Sequence, residues 1–306
     1  MKTCIQYFIG VTLAVFVQSC DKIEAPFRES SGGVIGTNDS VVVSGDTIVF
    51  PVDTTTAFKK VLVEDYTGHT CGNCPYAGVL LNDTLKQLYG NKLVIISVHA
   101  GFFAEPCPPH PSPPGAPAGS YATDFRNQTS LDWNTFFSVS SNPNGMIDRV
   151  GYPTTHLKTP DNWSTYLQSE SILPADFKMR IINHFNSTDD TLKTAIHTTF
   201  LGDKTGTYKL QVVLTEDSLV DWQEWYPPHA IQNDPNYVHH HVLRGAINGS
   251  FGGVIASGTI TGGTVKLNGY SFYVDPARNI SHCKVVAFVY DVSNYKVLQV
   301  QEADVQ

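Results

Sequence analysis

Cys71 and Cys74 are separated only by Gly72 and Asn73 in the segment VLVEDYTGHTCGNCPYA, residues 61–77. Thiols at that spacing can close a small disulfide with little backbone movement, and at a strand-to-helix junction they share surroundings that stabilise a thiolate. The chemistry such a pair offers is thiol–disulfide exchange. Cys71, placed at the helix N-terminus, is the expected nucleophile, because unpaired N–H groups and the positive end of the helix dipole favour its anion. Cys74, inside the first turn and less accessible, is the expected resolving thiol that attacks a mixed disulfide. His69 can add positive charge when protonated, and Pro75 fits a turn whose N–H groups lack helical partners. Two other arrangements use the same residues. A zinc half-site needs a second ligand pair, and the chain has no second Cys-x-x-Cys. A permanently oxidised bridge is the other, a common device in exported chains.

The surrounding pattern supplies the elements that must hold this pair. Residues 59–66 (KKVLVEDY) read as a strand. From Pro75 to Tyr89 the apolar Tyr76, Val79, Leu80, Leu85 and Leu88 recur at helical spacing, and Gly90 gives the stop. Residues 92–98 (KLVIISV) form a nearly continuous apolar strand, as expected for one covered on both faces. Strand, cysteine turn, helix and strand make one βαβ unit. Residues 107–119 hold six prolines and read as an extended surface loop. A helix near residues 121–127 or 131–137 follows, then the turn Pro143-Asn144-Gly145, then a helix over residues 163–169. Beyond Pro174 the pattern changes to short strands at residues 179–182, 195–201, 208–214, 242–247, 265–267, 271–274, 284–290 and 297–300, joined by Gly, Asn and Asp turns. Such a series without helices predicts an antiparallel sandwich.

The first twenty residues read as an address. One cation, Lys2, precedes an apolar run over residues 8–17, too short for an ordinary spanning helix, and the run ends in Val17-Gln18-Ser19-Cys20 before a polar stretch. This resembles a bacterial lipobox, which implies cleavage after Ser19 and acylation of Cys20; plain secretion with cleavage nearby is the alternative. Either way the mature chain lies outside the cytoplasm. Residues 28–56, rich in Ser, Gly, Thr and Asp with two β-branched runs, read as a tether ending in edge strands. With 20 Lys and Arg against 28 Asp and Glu, the net charge of −8 has the wrong sign for gripping nucleic acid. No phosphate-cradling Gly loop, GxSxG or HExxH occurs, so nucleotide and hydrolase readings lack support.

Residues 58–173 resemble the thioredoxin superfamily on three features: the strand-CGNC-helix order, an acid six residues before the first Cys, and a downstream Pro. The resemblance implies that Asp65 relays a proton to Cys74 and that Pro143 is a cis-proline presenting backbone to substrate. Glu64, next to Asp65, falls on the opposite strand face. On residue type alone, either acid reads equally as a solvated strand-end carboxylate. Thr70 replaces the Trp common before the first Cys, and a Pro-rich insertion lengthens the path from Cys74 to Pro143. The fuller pattern, an acylated N-terminus with EDYTGHTCGNCP, PNGMIDR and a β-rich tail containing HHHVLRG, is similar to the Bacteroidetes outer-membrane lipoprotein family named for a twenty-eight-kilodalton member. That resemblance implies a periplasmic or surface-exposed lipoprotein of the outer membrane, in a family also discussed as adhesin-like.

The expected architecture is therefore an α/β thioredoxin-like domain over residues 57–174 and an all-β, immunoglobulin-like sandwich over residues 175–306. They follow a signal peptide (1–19) and a lipidated tether (20–56). Cys107 and Cys283 remain; a bridge between them is one expectation, and a third redox thiol at Cys107 with a buried apolar Cys283 is the other. In His239-His240-His241, strand alternation puts His239 and His241 on one side, and with no carboxylate at a diagnostic spacing a structural role is expected rather than a metal site. Trp222-Gln223-Glu224-Trp225-Tyr226-Pro227-Pro228 reads either as a binding edge for a peptide or glycan or as packing. No cofactor is expected. Two functions fit: exchange on the thiols or disulfides of exported proteins, with Cys71, Cys74, Asp65 and Pro143 as the site, or a non-catalytic adhesin or binding lipoprotein in which the dithiol only bridges.

Overall fold

A computed structural model describes residues 38–306; the signal segment, Cys20 and the start of the tether lie outside the described residues. The fold is mostly β, in several sheets. Strands β1 (Asp39–Val43) and β2 (Asp46–Phe50) form the expected edge hairpin, turned at Ser44 and Gly45, both with positive φ. The hairpin buries Val43, Ile48 and Phe50.

Strand β3 (Val61–Thr67) is buried along almost its whole length and pairs in parallel with β4 (Leu93–His99). The helical run between them starts as α1 (Cys74–Val79), passes through a π-helical turn (Leu80–Leu85) and ends as α2 (Lys86–Tyr89), where Gly90 takes positive φ. Ala77, Leu81 and Leu85 cover one face of the two strands together with Trp163 and Leu167 of α4 (Pro160–Ser171). The other face buries Leu62, Tyr66, Val94 and Ile96 beside Trp133 of α3 (Gln128–Phe136). Both faces are apolar because both are covered, so the alternation of a half-exposed strand is absent. Of the two helix positions expected near α3, the segment before residue 128 is irregular. Asn127 caps the helix instead: its side chain accepts from the Ser130 amide while the Ser130 hydroxyl accepts from the Asn127 amide.

Strand β5 (Asn144–Ile147) runs antiparallel on the outer edge of β3. After α4 come β6 (Phe177–Asn186), β7 (Thr191–Phe200), β8 (Lys204–Glu216), β9 (Leu219–Glu224), β10 (Asn233–His239), β11 (Val242–Ala246), β12 (Gly253–Ile260), β13 (Val265–Tyr273), β14 (Cys283–Asp291) and β15 (Val297–Asp304). The largest sheet has the order β15-β14-β8-β11-β4-β3-β5, with β12 also on β8, so it takes strands from both sides of residue 174. The junction is narrow: Val242 pairs with Ser97, whose amide donates to the His241 carbonyl at 2.8 Å. A three-stranded sheet, β13-β7-β6, packs against β8, β12 and β14 around Phe177, Phe200, Leu210, Val212, Val285 and Ala287. The two apolar runs at 265–267 and 271–274 merge into the single strand β13 through Gly269. A Cβ there would sit 2.4 Å from Val43, so only glycine lets the β1–β2 hairpin lie this close. Strands β5, β9, β10 and β12 fall outside the expected set; Asn144 and Gly145, expected in a turn, open β5. β9 and β10 form a two-stranded sheet of their own.

Candidate redox site

The β3 strand delivers the chain into a tight turn, where the Cys71 amide donates to the Gly68 carbonyl at 3.1 Å and the Cys74 amide to the Cys71 carbonyl at 2.9 Å. Cys71 and Cys74 are joined as a disulfide with their Cα atoms 5.3 Å apart. Helix α1 begins at Cys74 with Asn73 as its cap, so Cys71 stands in the turn ahead of the helix rather than in its first turn. The amide and hydroxyl of Thr70 both donate to the Phe103 carbonyl, which fixes the turn from behind.

Asp65 and Cys74 open onto one small cavity of about 20 Å³, also lined by His99, Gln223, Tyr237 and His239. That is room for about one water molecule. Asp65 is not the solvated strand-end carboxylate that its residue type allowed: it is 3% exposed, and Oδ1 has no hydrogen-bond partner. Loss of hydration pushes its pKa up to about 7. Glu64 is also fully buried, but on the other face of β3, where the Arg149 guanidinium holds it bidentately. The Asn142–Pro143 peptide is cis. Because Asn144 pairs with Tyr66, Pro143 stands at the end of the sheet where β3 enters the cysteine turn.

Three expectations are corrected. His69 does not serve the dithiol as a charged neighbour: its Nε2–H donates to the Glu105 carbonyl at 3.0 Å, and burial pushes its pKa down. Cys107 and Cys283 do not form a bridge. Each is a free, buried thiol: Cys107 lies beside His110 in the Pro-rich loop, and Cys283 opens β14 opposite Glu216, with burial raising both pKa values. The alternation expected over His239–His241 fails because β10 ends at His239 and His241 takes positive φ. His239 turns inward toward His99 and Phe125, while His240 and His241 both meet Asp217. Among the described residues no group of three or more His, Cys, Asp or Glu side chains is arranged to hold a metal ion.

The residues that sequence reasoning missed lie on the β9–β10 hairpin. Gln223 Nε2 donates to the Cys71 carbonyl at 3.2 Å. The Glu224 amide donates to the His69 carbonyl and the Tyr226 amide to the Gly72 carbonyl, each at 2.8 Å. The Tyr76 hydroxyl donates to the Tyr226 carbonyl at 2.7 Å, and Trp225 packs edge-on against Tyr76. As a result Cys71 and Cys74 are only 3% and 2% exposed. Trp225 is buried and Trp222 half-buried, so the two tryptophans pack against the molecule, while Tyr226 stays exposed with its ring over Gly72. The unusual Trp-Gln-Glu-Trp-Tyr-Pro-Pro composition was the one available signal, and it did not name the partner.

A family model described as outer membrane protein Omp28 matches residues 131–306. Among solved structures, HBP35 of Porphyromonas gingivalis is 15% identical over 81% of this chain and 76% of its own, with a TM-score of 0.58, a likeness of fold. A domain of the outer membrane lipoprotein Omp28 from Porphyromonas gingivalis is 21% identical over 43% of this chain and 89% of its own, with a TM-score of 0.30. No curated protein matches. Among the described residues no helix is long and apolar enough to cross a membrane.

Proposed function

The chain belongs to the Omp28 family of outer membrane proteins, and we propose that it acts there as a lipid-tethered thiol–disulfide exchange protein working on exported proteins. The tether is Cys20, acylated after removal of residues 1–19. Support comes from the lipobox-like sequence that ends in Ser19-Cys20. In this reading β3, α1, β4 and β5 with the cysteine turn are a thioredoxin-like unit within residues 57–174, and the two packed sheets of residues 175–306 are an immunoglobulin-like sandwich.

The observation that carries the reading is the Cys71–Cys74 disulfide at a strand-to-helix turn, with Asp65, whose buried Oδ1 lacks a hydrogen-bond partner, on the same cavity as Cys74. A substrate thiolate attacks Cys71 Sγ, the Cys71–Cys74 bond breaks, and its electron pair leaves on Cys74. Asp65, kept protonated near neutral pH by its burial, gives its proton to that thiolate. A second substrate thiolate then attacks the mixed disulfide and releases Cys71, leaving substrate oxidised and the dithiol reduced. The reverse sequence reduces a substrate disulfide. Pro143, at the adjoining strand end, presents backbone to the substrate.

The test is capture in the full mature chain. With Cys74→Ser, Cys71 should accumulate mixed disulfides with exported proteins that reductant releases; Cys71→Ser should accumulate none. No adducts on either variant would remove the catalytic reading. The second reading, a binding lipoprotein whose dithiol merely bridges, is favoured by one observation: both cysteines are buried beneath the β9–β10 hairpin. Its partner would be a peptide or glycan ligand.

A further inference from the structure

We infer that residues 223–226 are a built-in strap that occupies the face of the cysteine turn and must lift before a protein substrate can reach the disulfide. The inference concerns regulation of the exchange site and rests on that reading. Two backbone carbonyls of the turn, His69 and Gly72, already receive amide protons from Glu224 and Tyr226. A third, that of Cys71, receives one from Gln223. These are carbonyls that an incoming extended polypeptide could pair with, as edge-binding peptides do.

Gly72 carries the fit. A Cβ on it would fall 2.0 Å from the Tyr226 ring, and its φ lies outside the left-handed region, so the backbone itself does not ask for glycine. What requires glycine here is the ring lying on its Cα. On the far strand of the hairpin, a Cβ on Gly78 would meet the Tyr237 hydroxyl at 2.7 Å, so the helix behind Cys74 is shaped to the hairpin as well.

The hairpin is also built to come away. Its two strands pair only with each other, and no strand of the large sheet hydrogen-bonds to them among the described residues. Its closed position leaves Trp225 Nε1 and His239 Nε2 buried without hydrogen-bond partners, and beneath it Asp65 Oδ1 and both ring nitrogens of His99 are in the same condition. Unpaired buried polar atoms oppose closure, because each regains hydration when the strap lifts. Against that opposing term, closure is held by the hydrogen bonds of residues 223–226 to the turn, by those that join Asp221 and Asn233 to Thr123, Tyr121 and Pro114, and by ring contacts. Segments so balanced open without global unfolding.

The experiment follows reduction of the Cys71–Cys74 bond by glutathione in the purified mature chain, read by alkylation and mass spectrometry. Cys283 serves as an internal reporter of global opening, since it is a free thiol buried in the core at the start of β14. In the unmodified protein, the bond should be reduced at least tenfold faster than Cys283 is alkylated under the same native conditions. Tyr226→Ala and Gly72→Ala should each raise the reduction rate about tenfold or more with Cys283 still protected, and the double variant should add little. Reduction that only keeps pace with Cys283 alkylation, or rates in protected variants within twofold of the unmodified protein, would overturn the strap. A faster bond in these variants with no adducts on Cys74→Ser would leave the strap standing and remove the exchange function; adducts with unchanged rates would do the opposite.

Discussion

Arg149 grips Glu64 through two parallel hydrogen bonds, Nε to Oε2 at 2.8 Å and Nη2 to Oε1 at 2.7 Å, in a site where both side chains are at most 2% exposed. The guanidinium carbon also lies 4.6 Å from the Phe137 ring centroid and 5.0 Å from that of Phe288. The pair ties β3 to the turn after β5, on the face of β3 opposite Asp65. Removing one partner leaves a buried charge alone, which costs about 3–5 kcal/mol. Urea unfolding of Arg149→Ala should show a loss of that size. Replacing both groups by apolar residues, Glu64→Leu with Arg149→Met, should recover most of it, because the desolvation cost disappears with the charges.

Asp65 gives a pH dependence of a definite sign. Its pKa is raised from an ordinary carboxyl value to about 7 in the folded chain, so between those values the folded state holds a proton that the unfolded state has lost. Its contribution is therefore complete below about pH 4 and lost as pH rises through 7, by on the order of 4 kcal/mol in all. Asp65→Asn should gain stability relative to the parent at pH 8 and little at pH 4. Equal gains at both values would show that the carboxyl is not held protonated.

The buried histidines act in the opposite direction. Burial depresses His239 to about 3 and His241 to about 4, and pushes His99 well down. Each is neutral when folded and protonates in the unfolded chain below about pH 6.5, so their stabilisation is complete above that pH and lost as pH falls. Each group steepens the loss by up to about 1.4 kcal/mol per pH unit. His239→Gln should flatten the stability profile between pH 6 and 4, measured by denaturant titration at fixed pH.

How much of this was legible depended on how local each signal was. The strands β3 and β4 showed as near-continuous apolar runs because both faces are covered, and the cysteine turn showed because its chemistry sits within four residues. Strand alternation correctly put Glu64 and Asp65 on opposite faces, but it says nothing about what lies over each face. Arg149 is 85 residues away from Glu64. The contacts of Gln223 and Tyr226 with the turn were out of reach for the same reason: they run through backbone carbonyls some 150 residues earlier, which carry no side-chain signature. The His239–His241 alternation failed because β10 ends at His239 and His241 takes positive φ.

The thiol inventory makes a direct check of the corrected pairing. Alkylation of the native, non-reduced chain should leave Cys107 and Cys283 largely unmodified. In denaturant without reductant both should react while Cys71 and Cys74 remain linked. A linked Cys107–Cys283 peptide would contradict the structure.

Whether the Cys71–Cys74 bond is a working redox couple is decided by its equilibrium with glutathione. The purified mature chain would be held at a series of reduced-to-oxidised glutathione ratios and its thiols counted by alkylation. A working couple gives a reversible two-electron transition of this one bond within the physiological range, at a potential that also gives the direction of exchange. A bond that stays oxidised across that whole range, in the unmodified chain and in Tyr226→Ala alike, would contradict it and leave a structural bridge in a binding protein.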